Sequence, residues 1–140
     1  MPFSSLRKSL EKRKDIDISR VEKAYHFARR AHAGQKRKSG EDYIIHPVSV
    51  AEMLADIQAD EESIIAALLH DTVEDTSVTS KEIRKNFGEK IAELVDGLTK
   101  LAKIKYQGSV EDRTIDNFSR MIFSSAKDIR IILIKLLDRL

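Results

Sequence analysis

The sequence predicts an all-α protein, a bundle of about six to eight helices. Three observations carry that prediction. Apolar residues recur at helical spacing, as in Val21, Ala24, Phe27, Ala28 and Ala31, and again in Ile91, Leu94, Val95 and Leu98. Helix start and stop signals flank those stripes: Ser19 with Glu22, Thr79 with Glu82, and Gly34 and Gly88 beyond the last periodic residues. The composition is 41% apolar and 34% charged, which suits helices with one buried and one solvated face.

The elements follow in order. Residues 1–14 form a basic lead-in (Arg7, Lys8, Lys12, Arg13, Lys14), either mobile or a short amphipathic helix with Leu6 and Leu10 as its apolar pair. Residues 15–140 form one domain, long enough for a real core. Its first helix runs from Ser19 to Ala33 and stops at Gly34. A basic loop, Gln35-Lys36-Arg37-Lys38-Ser39-Gly40, leads to Tyr43-Ile44-Ile45-His46-Pro47. Pro47 suits the first helical position, which puts His46 at or near the N-cap. Val48, Ala51, Leu54 and Ala55 are the buried face of that helix. Asp60 or Glu61 opens the next, Ser63 to His70.

Thr79 starts a short helix that ends at Phe87-Gly88, and Ile91 to Leu98 marks another. Residues 100–108 read as a polar connection. Ile115, Phe118, Met121 and Ile122 form a further stripe within 110–125. Residues 128–140 close the chain; Ile129 to Ile134 has the composition of a strand, but its length and the lack of a partner strand favour a buried helix.

Several function classes are excluded or disfavoured. Cysteine is absent, so there is neither a disulfide framework nor a thiolate metal site. No apolar run approaches the roughly 20 residues of a membrane span. The basic N-terminus lacks the apolar stretch of a secretory signal, and the expected compartment is the cytoplasm. A net charge of +2 argues against a dedicated nucleic-acid binder.

The chemistry concentrates where an apolar helical run ends, in His70-Asp71 with Glu74 and Asp75 close behind. If the helix continues, His70 shares a face with Glu74, and Asp71 with Asp75. An imidazole and three carboxylates at the end of a buried run are costly unless paired, and a cation is the simplest pairing. His46, His70, Asp71 and Asp138 form a candidate ligand set. Two imidazoles and two carboxylates suit Mn, Fe, Co or Zn with positions left open, not a closed structural zinc site.

Each piece also has a plainer reading. Taken alone, His46 is more often a capping or core histidine, and Asp138 a helix-end or salt-bridge acid beside Arg139. Glu74 and Asp75 are either a solvated helix end or a pair that positions water and moves protons. The loop Arg37-Lys38-Ser39 is either an exposed turn or a phosphate- and base-binding element. His26 and His32 read as surface or stripe-edge residues without a role. Taken together, metal ligands, carboxylates and a basic loop suggest hydrolysis of a phosphate or pyrophosphate ester.

Five ordered segments carry a family resemblance. They are Ala31 to Gly40, Tyr43 to Pro47, Ala66 to Thr76, Asp96 to Leu101, and Asp128 to Leu140. From about residue 19 to the end, the chain resembles the N-terminal HD-type hydrolase domain of the RelA/SpoT family. The resemblance implies an all-helical HD fold, bound Mn²⁺, and removal of the 3′-pyrophosphate of guanosine tetra- and pentaphosphate, the stringent-response alarmones. It implies His46, His70, Asp71 and Asp138 as metal ligands and Glu74 and Asp75 as catalytic acids. Arg37, Lys38 and Ser39 would line the nucleotide pocket, Arg37 against the guanine.

Two departures stand out. Leu137 occupies a position where the family usually has alanine, so an extra isobutyl group must be absorbed by repacking. The family continues past Asp-Arg-Leu with further helices and nucleotide contacts, whereas this sequence stops at Leu140. The domain is thus expected to be incomplete at its C-terminus. Asp138 would then lie in a fraying turn, with weak metal binding, slow turnover and an apolar end face that favours oligomers. Two other functions stay open: an HD phosphohydrolase for another nucleotide, and a non-catalytic regulatory module of a larger synthetase/hydrolase.

Overall fold

The computed structural model describes residues 2–105 and 129–139. It contains eight helical segments among those residues: α1 Pro2–Leu10, α2 Ile18–Ala31, α3 Ile45–Asp56, α4 Glu61–Leu69, α5 Thr72–Asp75, α6 Ser80–Phe87, α7 Glu89–Lys105 and α8 Ile129–Arg139. The only extended pairing among the described residues is an isolated antiparallel bridge, Lys36 with Asp42. The stripe expected within 110–125 lies outside the described residues. No described helix is long and apolar enough to cross a membrane.

Helix α4 is the centre of the bundle. Its sequence is apolar on every side, and Ser63 through Leu69 are all buried. A helix of that kind must be surrounded, and α2, α3, α7 and α8 all pack on it. Asp60 caps it by accepting from Ser63 N at 3.3 Å. From the far end of the chain, Arg130 Nη1 donates to Asp60 Oδ2 at 2.5 Å and to Glu62 Oε1 at 3.2 Å, so α8 is tied to the start of α4.

The N-terminal residues form the helix alternative of the sequence reading. Phe3, Leu6 and Leu10 are buried in the common core. Phe3 stacks on Tyr25 with ring centroids 5.0 Å apart, and α1 also packs along α3. Helix α2 is capped by Asp17, which accepts from Ser19 N at 3.1 Å; the expected Ser19 cap is two positions too late. Its buried face is Val21, Ala24, Tyr25 and Ala28, whereas Phe27 is only partly buried.

Helix α3 starts at Ile45, so Pro47 is its third residue rather than its first, and His46 is its second rather than its cap. Pro is tolerated there because the N–H groups of a first turn have no intrahelical partner. The Thr79 cap forms as expected, with Thr79 Oγ1 accepting from Glu82 N at 3.3 Å, and Gly88 takes φ +97° to end α6. Helix α7 runs on to Lys105, through residues the sequence suggested as a connection. The final apolar segment is helical, with Ile131 and Ile134 buried. Leu137 packs, partly buried, against the core.

Helix α8 comes unusually close to α7. A Cβ on Gly97 would collide with Cδ1 of Ile131 and lie 3.2 Å from its Cγ1. Glycine inside a helix costs about 1 kcal/mol relative to alanine. Here that cost permits the approach of the helix that carries Asp138.

Candidate metal centre

Four ligand-type side chains converge from two helices and one helix break. His46 projects from the first turn of α3, and Asp138 from the last turn of α8. His70 and Asp71 occupy the break between α4 and α5, so the helix does not run on as a single rod. The backbone still closes one turn there, because Asp75 N donates to Asp71 O at 2.9 Å. One ligand atom from each of His46, His70, Asp71 and Asp138 lies within 4.8 Å of the other three.

Asp138 Oδ1 is the focus of the cluster. It is 2.6 Å from His46 Nε2 and 3.2 Å from His70 Nε2. Asp71 Oδ2 lies 3.2 Å from His70 Nε2. His70 is 1% exposed and Asp71 7%, so water contributes little to solvating these charges. Lys135 Nζ donates to Asp138 Oδ2 at 3.2 Å and supplies the neighbouring positive charge the sequence reading gave to Arg139.

The electrostatics follow from this crowding. Burial would push the His70 imidazolium down, but Asp138 and Asp71 outweigh it and raise it to about 10. Burial would push Asp138 up, yet its bonds to His46 and His70 hold it far below the usual carboxylate range. Asp71 is likewise lowered, because His70 and Tyr43 outweigh its burial. Glu74 moves the other way: partial desolvation and the charge of Asp71 raise it. Burial, then Asp71 and Asp75, raise the Tyr43 hydroxyl, which stays a donor.

The donor set fits a divalent cation. His70 Nδ1 points at the carbonyl of Ala67, 2.5 Å away, and so carries the ring proton. Nε2 of the neutral ring is then a lone pair aimed at two carboxylates. Such an arrangement needs a proton or a cation among those atoms. A carbonyl holding the far nitrogen of a ligating histidine is the usual support for metal binding. With no thiolate, the mixed N/O set suits Mn, Fe, Co or Zn.

Of the other expected site residues, the two acids lie beside this cluster. Glu74 and Asp75, in α5, are exposed at its rim. Asp75 Oδ2 lies 3.2 Å from Tyr43 Oη, whose other neighbour is Asp71 Oδ2 at 2.8 Å. Arg37, Lys38 and Ser39 are exposed on a turn in which Gly40 N donates to Arg37 O and Arg37 N to Glu41 O. Gln35 and Tyr43 close the base of that loop and reach the acids. His26 is exposed as expected, but His32 is not a surface residue: it is 3% exposed and tilts over the Tyr43 ring. The sequence reading gave Tyr43 and Gln35 no role at the site. Their only signal was position, immediately flanking the basic loop.

An all-helical bundle that gathers two histidines and two aspartates at a break in its central helix defines the histidine–aspartate class of metal-site folds. A family model described as "HD domain" matches residues 24–140, and the chain belongs to that family. It is 52% identical over 120 residues to the guanosine-3′,5′-bis(diphosphate) 3′-pyrophosphohydrolase of Aquifex aeolicus (strain VF5), covering 86% of this chain and 17% of that protein. It is 50% identical over 122 residues to the bifunctional (p)ppGpp synthase/hydrolase SpoT of Escherichia coli (strain K12), covering 87% and 17%. Its identity to the GTP pyrophosphokinase of Myxococcus xanthus is 47% over 127 residues, covering 89% and 17%. The chain therefore spans about one sixth of the length of these relatives, 17% in each case. A solved structure described as "A metazoan ortholog of SpoT hydrolyzes ppGpp and plays a role in starvation responses" superposes with a TM-score of 0.65 at 27% identity, covering 86% of this chain and 66% of that one.

Proposed function

We propose that the chain is a Mn²⁺-dependent hydrolase that removes the 3′-pyrophosphate of guanosine tetra- and pentaphosphate in the cytoplasm, leaving GDP or GTP. The observation that carries this reading is the convergence of His46, His70, Asp71 and Asp138 within 4.8 Å. It gains its substrate from relatives about 50% identical that are named for this reaction.

In this reading those four residues hold the ion. When bound, a divalent cation supplies Lewis acidity, easing loss of a proton from water and offsetting the charge on the pyrophosphate. Asp75 accepts that proton, its carboxylate oriented by the Tyr43 hydroxyl. The water oxygen attacks the phosphorus bonded to the ribose 3′ oxygen, and that bond breaks. Glu74, whose carboxyl is raised by partial desolvation and by the charge of Asp71, gives a proton to the departing 3′ oxygen. Arg37 and Lys38 bind the nucleotide's phosphates and base, and Ser39 adds a hydroxyl contact.

The test is pyrophosphate release from guanosine tetraphosphate with Mn²⁺, with and without chelator, beside a His70→Ala/Asp71→Ala double variant. Chelator-sensitive release that the double variant lacks supports the reading. Metal uptake without release sends the assignment to another nucleotide. A regulatory module is the second reading, favoured by the 47% identity to a protein named for the synthetic reaction. Binding of guanosine tetraphosphate with no turnover at saturating Mn²⁺ would decide for it.

A further inference from the structure

Tyr43 lies at the base of the basic loop, three residues before His46, and its hydroxyl sits between two acids from opposite ends of α5. It is 2.8 Å from Asp71 Oδ2 and 3.2 Å from Asp75 Oδ2. A phenol has one proton, which two acceptors can share in a three-centre bond. The shorter contact is to the candidate metal ligand.

The ring is fixed from its other side. His32 and Tyr43 lie with ring centroids 4.7 Å apart and planes inclined by 32°. His32 Nδ1 donates to Gln35 Oε1 at 3.0 Å, and Gln35 Nε2 donates to the Asp75 carbonyl at 2.8 Å. Tyr43 N donates back to Gln35 O at 3.1 Å. His32 Nε2 has no hydrogen-bond partner among the described residues, and the face of this buried ring lies against Tyr43. The contacts form a connected unit: loop base, the tilted ring pair, and Asp71 and Asp75.

We propose that Tyr43 is a positioning residue: its hydroxyl holds Asp71 and Asp75 in register, so that the carboxylate that binds the ion and the one that takes the proton move together. The inference rests on the proposed metal and acid roles of those two residues. It assigns Tyr43 no contact with substrate. A hydrogen-bond partner of a ligating carboxylate orients it and is typically worth 10–100-fold in metal affinity.

The test uses the whole 140-residue chain and Mn²⁺ alone as the probe. Tyr43→Phe keeps the ring against His32 and removes only the hydroxyl. Its Mn²⁺ affinity, measured by titration calorimetry, is expected to fall roughly 10–100-fold while Tm in chelator stays near the wild-type value. With saturating Mn²⁺, kcat should fall with KM unchanged. Gln35→Ala removes the strut on Asp75 but leaves the hydroxyl on Asp71, so Mn²⁺ affinity should be kept while kcat falls. Unchanged affinity in Tyr43→Phe overturns the inference and leaves the metal site standing. An equal loss in Gln35→Ala also overturns it, because general loosening of the loop would then explain both. Wild-type chain that takes up no Mn²⁺ overturns the metal reading and this inference with it.

Discussion

His70 Nδ1 donates to the carbonyl oxygen of Ala67 at 2.5 Å, one turn back along α4. This one bond sets the orientation of the ring and turns Nε2 toward Asp138 and Asp71. The last turn of a buried helix has carbonyls to spare, so the fold supplies this support without a further residue.

The expected consequence is pH-dependent metal binding. In chelated protein the His70 imidazolium is raised from 6.5 to about 10. A raised folded pKa stabilises the fold fully below the unfolded value and loses that contribution as pH rises through about 10. Mn²⁺ must displace the same proton. Its affinity should therefore climb with pH across that window, by up to about tenfold per unit. Dissociation constants at several pH values, with proton release followed in parallel, check this; a flat profile would contradict it.

The close approach at Gly97 links the end of the chain to the site. Gly97→Val places a branched side chain against Ile131 and should destabilise the fold by about 1–3 kcal/mol. It should also weaken Mn²⁺ binding, because α8 carries Asp138. Gly97→Ala should do less on both counts: its clash is with the far end of a flexible side chain, and alanine restores helix propensity. Thermal unfolding in chelator and Mn²⁺ titration of both variants give the comparison.

The N-terminal helix is predicted to be part of the folded unit. Leu6 is fully buried against the common core. Leu6→Ala should cost about 2–5 kcal/mol, read as a lower midpoint in urea unfolding. A cost near zero would mean that α1 is detached in solution.

The basic loop is predicted to act in binding rather than in chemistry. Arg37 is exposed on the loop. Arg37→Ala should raise KM for guanosine tetraphosphate roughly tenfold, the loss of one charge-assisted contact, with kcat nearly unchanged. An unchanged KM removes Arg37 from the nucleotide pocket.

Much of this was legible before any coordinates. The all-α fold, the helix stripes within the described residues and the Thr79 cap depend on local spacing or on short motifs, which a linear sequence displays. The boundaries were less legible. Asp17 and Ser19 are both good caps, and Asp17 prevails where its backbone N–H also meets Glu61 Oε1 at 2.5 Å, a contact made across 44 positions. Residues 100–105 looked polar, but no glycine or proline interrupts them, and α7 runs on. His32 looked like an edge residue because its cover, Tyr43, arrives from the far side of the basic loop.

By itself the sequence determined which side chains could bind a cation, because ligand chemistry resides in the residue type. It also determined that the chain forms amphipathic and fully apolar helices, because their periods are written in the order of residues. Only the tertiary structure decided that His46 and Asp138, 92 positions apart, meet at 2.6 Å. Only it broke the central helix at His70-Asp71 and set Tyr43 between Asp71 and Asp75. These relations arise from the packing of α3, α4 and α8 against one another, where long-range burial outweighs local preference.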